Sequence, residues 1–130
     1  MVARDYRRRL DELASARAPS VPLESALLWR ARLGHAELRL GNLDEGLRHL
    51  TTVHLHQKRA SERGTLSPEL AAAAAFRLGV GYMRLGETEN CIHHYSPDSC
   101  LLPIRGDGIH KKQRGSRNAI IYFAEAMQKG

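Results

Sequence analysis

Aromatic residues make up only 5% of this 130-residue chain. That scarcity argues against a β-sandwich, whose two facing sheets are usually filled with large rings, and suits Ala/Leu packing between closely spaced helices. No apolar run approaches the eighteen or so residues that a membrane span needs, and residues 1–20 hold no greasy signal core, so the chain as it stands is expected to be soluble and cytoplasmic. There are two cysteines and no Cys-x-x-Cys pair, which removes the standard zinc knuckle and the Cys-x-x-Cys-His haem attachment. A Gly-x-Ser-x-Gly elbow and a Walker loop are both missing. The carboxylates sit on charged helix faces rather than in apolar settings that would tune one as an acid. Catalysis therefore has no visible nucleophile and base, and an enzyme is not the expected reading.

What the chain does have is 42% hydrophobic residues and a net charge of +6. The cations gather in Arg7-Arg8-Arg9, in Gln57-Lys58-Arg59 and across Lys111–Arg117. The first two runs lie beside Asp5, Asp11, Glu12 and Glu62, the pattern of a solvated helix face. Stacking aromatics are not interleaved with the basic residues, so nucleic acid is not an expected partner.

Apolar spacing lays out the helices. Tyr6, Leu10 and Leu13 form one stripe on an otherwise charged helix over 3–17, which reads as a cap. Ala18-Pro19-Ser20-Val21-Pro22 interrupts it. From Leu23 to Leu40, Leu27, Ala31, Gly34 and Leu38 line one side while Trp29, Leu33 and Leu40 line another, so this helix is expected to lie between neighbours. Gly41-Asn42 breaks it, and Leu43, Leu47, Leu50 and Val53 give the buried face of the next helix, with Asp44-Glu45 in its first turn. That helix fades at 60–64. Ser67-Pro68 then reads as an N-cap followed by proline at the first helical position.

A short phrase occurs twice. Leu33-Gly34 is followed by Glu37 and Gly41, and Leu78-Gly79 by Tyr82 and Gly86 at the same offsets. A small residue where helices nearly touch, a larger side chain one turn on and a glycine at the helix end suit a helix-turn-helix repeat. With Gly46 and Leu50 after the first copy, this phrasing resembles the tetratricopeptide repeat, Glu37 standing where that repeat has an aromatic. The small-then-aromatic spacing of the second hairpin's closing helix reappears far downstream, as Ala119, Phe123 and Ala126. The expected architecture is therefore all-α and tetratricopeptide-like: a single domain over 1–130, with a capping helix at 3–17, a first antiparallel hairpin at 22–64 and a second at 67–130. That second hairpin is opened by an insertion at about 87–114.

The insertion carries both cysteines and three of the seven histidines. Loops of this length inside compact domains are usually functional or disordered. The turn Ser96-Pro97-Asp98 can fold Cys91 back toward Cys100, and a disulfide there would constrain the unfolded chain by about 2 to 3 kcal/mol. Alternatively Cys91, His93 or His94, Cys100 and His110 offer two thiolates and two imidazoles to a single zinc, copper or iron ion. Reduced structural thiols are the third reading, and one of His94 and His110 is expected to pin a loop carbonyl. Leu101-Leu102-Pro103-Ile104 is expected to tuck the loop against the hairpin, while Gly106 and Gly108 allow a tight turn or a close approach.

The segment also resembles, through Asn90, Cys91, His94, Ser99, Cys100, Pro103, Ile104, Gly108 and His110, the tetratricopeptide-like N-terminal region of bacterial proteins related to cartilage acidic protein. Those proteins continue into FG-GAP-type propeller repeats and an ASPIC/UnbV domain. The resemblance implies an interaction module of a larger exported protein, able to dock on its own downstream propeller. Taken together, the sequence predicts a protein- or peptide-binding helical repeat using Arg30, Glu37, Arg77 and Arg84 on the inner helices, with no cofactor. Solvated helix surface is the plain alternative for each of the four. The competing reading is a metal-binding protein or oxidative metalloenzyme built on the Cys/His loop, and self-association through terminal helix faces is a further expectation.

Overall fold

A computed structural model describes residues 2–15, 22–93, 96–99 and 101–129. Among them every regular element is helical: α1 (Val2–Ser15), α2 (Leu23–Arg39), α3 (Leu43–Glu62), α4 (Pro68–Glu87) and α5 (Arg114–Lys129). A π turn over Thr88–Ile92 and a 3-10 turn over Gly106–Gly108 punctuate the connection from α4 to α5. No described helix is long and apolar enough to cross a membrane.

The helices pack in chain order, α1 on α2, α2 on α3, α3 on α4 and α4 on α5, with α2 also touching α4. Two turns set up this order by the same device. Gly41 adopts φ +84° and Gly64 φ +72°, conformations open to glycine because it lacks Cβ. Each lets the chain fold back on the helix it leaves. Asn42 N–H donates to Glu37 O and Gly41 N–H to Leu38 O, while Thr65 N–H donates to Ala60 O and Gly64 N–H to Ser61 O. These paired bonds satisfy carbonyls that a helix end otherwise leaves bare. After the second turn Ser67 caps α4, its Oγ accepting from Leu70 N–H, with Pro68 at the first helical position as its spacing predicts.

Glycine also sets how closely the helices approach. A Cβ on Gly34 would meet Leu50 Cγ at 2.9 Å, and one on Gly46 would meet Gly34 O at 2.9 Å, so α2 and α3 approach backbone to backbone at Gly34 and Gly46. Gly79 gives the same room on α4 to the ring of Phe123 on α5. The repeated Leu-Gly phrase thus marks two helix contacts, α2 with α3 and α4 with α5. Gly86 departs from the expected role. It does not end α4, which runs on through Glu87; instead it lies against the backbone of Gly115, where α5 begins.

Leu47, Leu50, Leu78 and Leu85 form the main core, with Leu38, Leu43, Tyr82 and Tyr122 packed around it. A smaller cluster of Leu33 and Ala36 receives Tyr6 from α1, whose ring also meets Trp29 at 5.5 Å between centroids. Of the first stripe, Ala31 and Gly34 are buried and Leu27 and Leu38 partly buried, as their spacing predicts. Leu40 does not join the second stripe and is exposed. The side chains of Leu10 and Leu13 lie outside the described residues.

The expectation that Leu101, Leu102 and Ile104 tuck the connection against the helices is overturned: they are 58%, 86% and 59% exposed. Polar anchors do the holding instead. The Asn90 amide, itself buried, donates to Gly86 O and Lys112 O and accepts from Lys112 N–H, tying the two ends of the connection together. Further out, Ser96 N–H donates to Ser99 Oγ, and Gly108 backs onto the Asp98 carbonyl so closely that a Cβ would sit 2.3 Å from it. With these bonds made, no apolar burial is needed to hold the path of the chain.

Candidate functional site, a cleft between the second and fourth helices

α2 and α4 run side by side without a loop between them, and their meeting line opens as a cleft of about 490 Å³. His35, Leu38 and Arg39 come from α2, Val80, Arg84 and Glu87 from α4. Leu43 closes one end from α3, with Thr88 and Ile92 of the π turn beside it. Leu38 and Val80 are half-buried and make the floor apolar, whereas Arg39 and Arg84 are exposed at its sides. Arg77 is exposed about two helical turns before Arg84, and its charge reaches His35. Burial first, and the Arg77 guanidinium second, hold His35 below its ordinary pKa, so the imidazole resists protonation. Arg84 also pairs with Glu87 at 3.1 Å on the solvent side, a contact worth little when exposed.

Of the four residues predicted for partner binding, the structure brings Arg84 to this cleft, leaves Arg77 outside its lining though within reach of His35 by charge, and takes the other two elsewhere. Glu37 is fully buried under α1: its carboxylate pairs with Arg7 and accepts from Asn42 Nδ2 at 2.6 Å. Its geometry serves the seating of the capping helix, and no part of it is open to a ligand. Arg30 turns toward α3, donating from Nη1 to His49 Nδ1 at 3.3 Å. His49 is buried, and its pKa is lowered by desolvation and then by Arg30 and Arg48, with Glu45 opposing. Sequence reasoning missed His35 and Arg39. Their signal was available, since both fall on the α2 face left over once the two apolar stripes are assigned.

A second polar group bridges α3 and α5. His54, buried, meets Glu125 at 3.1 Å and the Tyr122 ring edge-on at 5.2 Å, while Lys58 approaches the same carboxylate at 3.8 Å. Tyr122 stacks on Tyr82. These contacts link α3 to α5, and Lys58 and Glu125 also line a pocket of about 630 Å³.

In the α4–α5 connection, Cys91 is half-buried, disulfide-bonded, and 3.7 Å from His110 Nε2 through its Sγ. His93 is exposed. His94 and Cys100, the other expected ligands, lie outside the described residues. Among the described residues no group of three or more His, Cys, Asp or Glu side chains is placed to hold a metal ion. Comparison of the chain with protein-family models, with curated proteins and with solved structures returns no match.

Proposed function

We propose that the protein is a protein- or peptide-binding helical-repeat module of tetratricopeptide-like build, and that the α2/α4 cleft is its binding surface. One observation carries this reading: Arg39, Arg84 and His35 line the cleft together with the apolar Leu38 and Val80, and the charge of Arg77 reaches His35. Two permanent cations against Glu87 alone, with Arg77 nearby, favour an acidic segment, and the apolar lining favours one with large apolar residues interspersed. Arg30 and Glu37 act behind the surface, by holding α3 and α1 to α2. Mapping amide shift changes in the full chain, on adding a peptide of alternating Glu and Leu, tests it. Shifts confined to α2 and α4 around the cleft support the reading, and shifts elsewhere or none refute it.

The juxtaposition of Cys91 and His110 supports a second reading for the connection. We infer that Cys91 pairs with Cys100, the sequence's only other cysteine, and that the bridge fixes the loop in an oxidising setting. A metal site on Cys91, His93 or His94, Cys100 and His110 requires that both sulfurs first be reduced to thiolates. Thiol titration together with elemental analysis of untagged protein separates the two. No free thiol and no metal fits the bridge, whereas two free thiols with one equivalent of zinc, copper or iron fits the metal site.

A further inference from the structure

The α4–α5 connection breaks the usual rule that large apolar side chains exposed in one place are covered by something. Leu101, Leu102, Ile104 and Ile109 are 58%, 86%, 59% and 56% exposed within nine consecutive residues. Asn90 ties the far end of the connection at Lys112, and Gly108 packs closely against the Asp98 carbonyl, while these side chains stay exposed. Cations flank them in the sequence. Arg105, Lys111, Lys112, Arg114 and Arg117 are all exposed, against Asp98 and Asp107 as the only acids of the sequence between 96 and 117.

None of these side chains lines the cleft. An exposed apolar segment flanked by Lys and Arg complements a surface that is negatively charged outside and hydrocarbon within. From this combination we propose that the loop is a peripheral membrane-binding element. Leu101, Leu102, Ile104 and Ile109 enter the headgroup/acyl boundary of an anionic lipid surface, while Arg105, Lys111, Lys112, Arg114 and Arg117 meet the lipid phosphates and carboxylates. Such attachment combines buried apolar area with attraction to anionic lipid, and needs no spanning helix. An electrostatic contact alone would leave the exposed leucines and isoleucines unexplained. The inference is independent of the cleft, whose floor and arginines take no part in it.

Flotation of the full chain with vesicles tests the proposal, comparing pure phosphatidylcholine with a 3:1 mixture of phosphatidylcholine and phosphatidylserine at about 0.15 M salt, where charges beyond about 8 Å are screened. The protein is expected to float with the mixed vesicles and not with the neutral ones. The double variant Leu102→Ser/Ile104→Ser, which keeps the charge of the protein, should lose about tenfold or more in apparent affinity, and Lys111→Ala/Lys112→Ala should lose a comparable amount. Ile120→Ser/Met127→Ser removes equally exposed apolar groups from α5, 68% and 82% exposed, and should bind as the parent does. Circular dichroism checks that each variant is folded. Failure of the parent to float, equal binding to neutral vesicles, or unchanged binding by Leu102→Ser/Ile104→Ser would each overturn the proposal. So would a matching loss in the α5 variant, because binding would then follow general exposure and not this loop.

Discussion

Gly86 and Gly115 meet backbone to backbone: a Cβ built on Gly115 would lie 2.5 Å from Gly86 N and 2.7 Å from Tyr82 O. Neither obstacle is a side chain that can rotate away. Gly115→Ala must therefore push the start of α5 off α4 and loosen the Ala119 and Phe123 contacts beyond it. The expected cost is about 1–3 kcal/mol, as for overpacked cores. Gly86→Ala, whose nearest contact is 3.6 Å, should cost less than Gly115→Ala. Urea unfolding of both variants measures the difference.

The capping helix hangs on few contacts. Among its described side chains only Tyr6 is partly buried, and α1 packs mainly against α2. Arg7→Met leaves the buried Glu37 carboxylate with Asn42 as its remaining described partner, so α1 should release before the rest of the molecule unfolds. Loss of one partner of a buried pair costs about 3–5 kcal/mol, and the half-exposed Arg7 places this case below that range. Hydrogen exchange should quicken across α1 while the α3 and α4 amides keep their protection. Glu37→Gln, which removes the buried charge, should be milder.

Much of this packing is written in the residues, and the part that is not has a physical cause. Gly34 and Gly79 could be read as contact points because a helix interior keeps glycine at a cost of about 1 kcal/mol relative to alanine. Ser67-Pro68 was legible as a helix start because capping is local chemistry. Gly86 misled, since a glycine that ends a helix and one that lets another backbone approach look alike in sequence. The loop residues Leu101, Leu102 and Ile104 misled for a related reason: apolar composition implies burial only where some surface is free to receive it, and Asn90 and Asp98 already hold the chain. Arg30 and Glu37 shared a helix with His35 and Arg39, but a rotation of about 100° per residue sends them to different neighbours.

Acid should weaken the fold through His35 and His49. Both have folded pKa values depressed below the ordinary 6.5, chiefly by burial. The unfolded chain then binds protons that the folded chain refuses, so stability is full above about pH 6.5 and falls as pH drops below it. Midpoints of thermal unfolding between pH 7.5 and 5 should decline, and His35→Gln/His49→Gln should flatten that decline. A decline of the same size in the variant would assign it to other groups.

Reduction should act locally. If Cys91 and Cys100 close a short loop, their bridge contributes about 2–3 kcal/mol by limiting the unfolded chain. Dithiothreitol or Cys91→Ser should lower the unfolding midpoint accordingly and speed hydrogen exchange mainly between residues 96 and 110. The Leu47, Leu50, Leu78 and Leu85 core should keep its protection.

Exchanging the charges at the proposed α2/α4 cleft tests its selection of acidic segments most directly. Fluorescence polarisation would follow labelled Glu/Leu and Lys/Leu peptides added to the parent chain and to Arg39→Glu/Arg77→Glu/Arg84→Glu. The parent should bind the Glu/Leu peptide and not its basic counterpart, with affinity falling as salt rises, and the triple variant should show the reversed preference. Binding of the Glu/Leu peptide that survives the triple substitution unchanged would contradict the account.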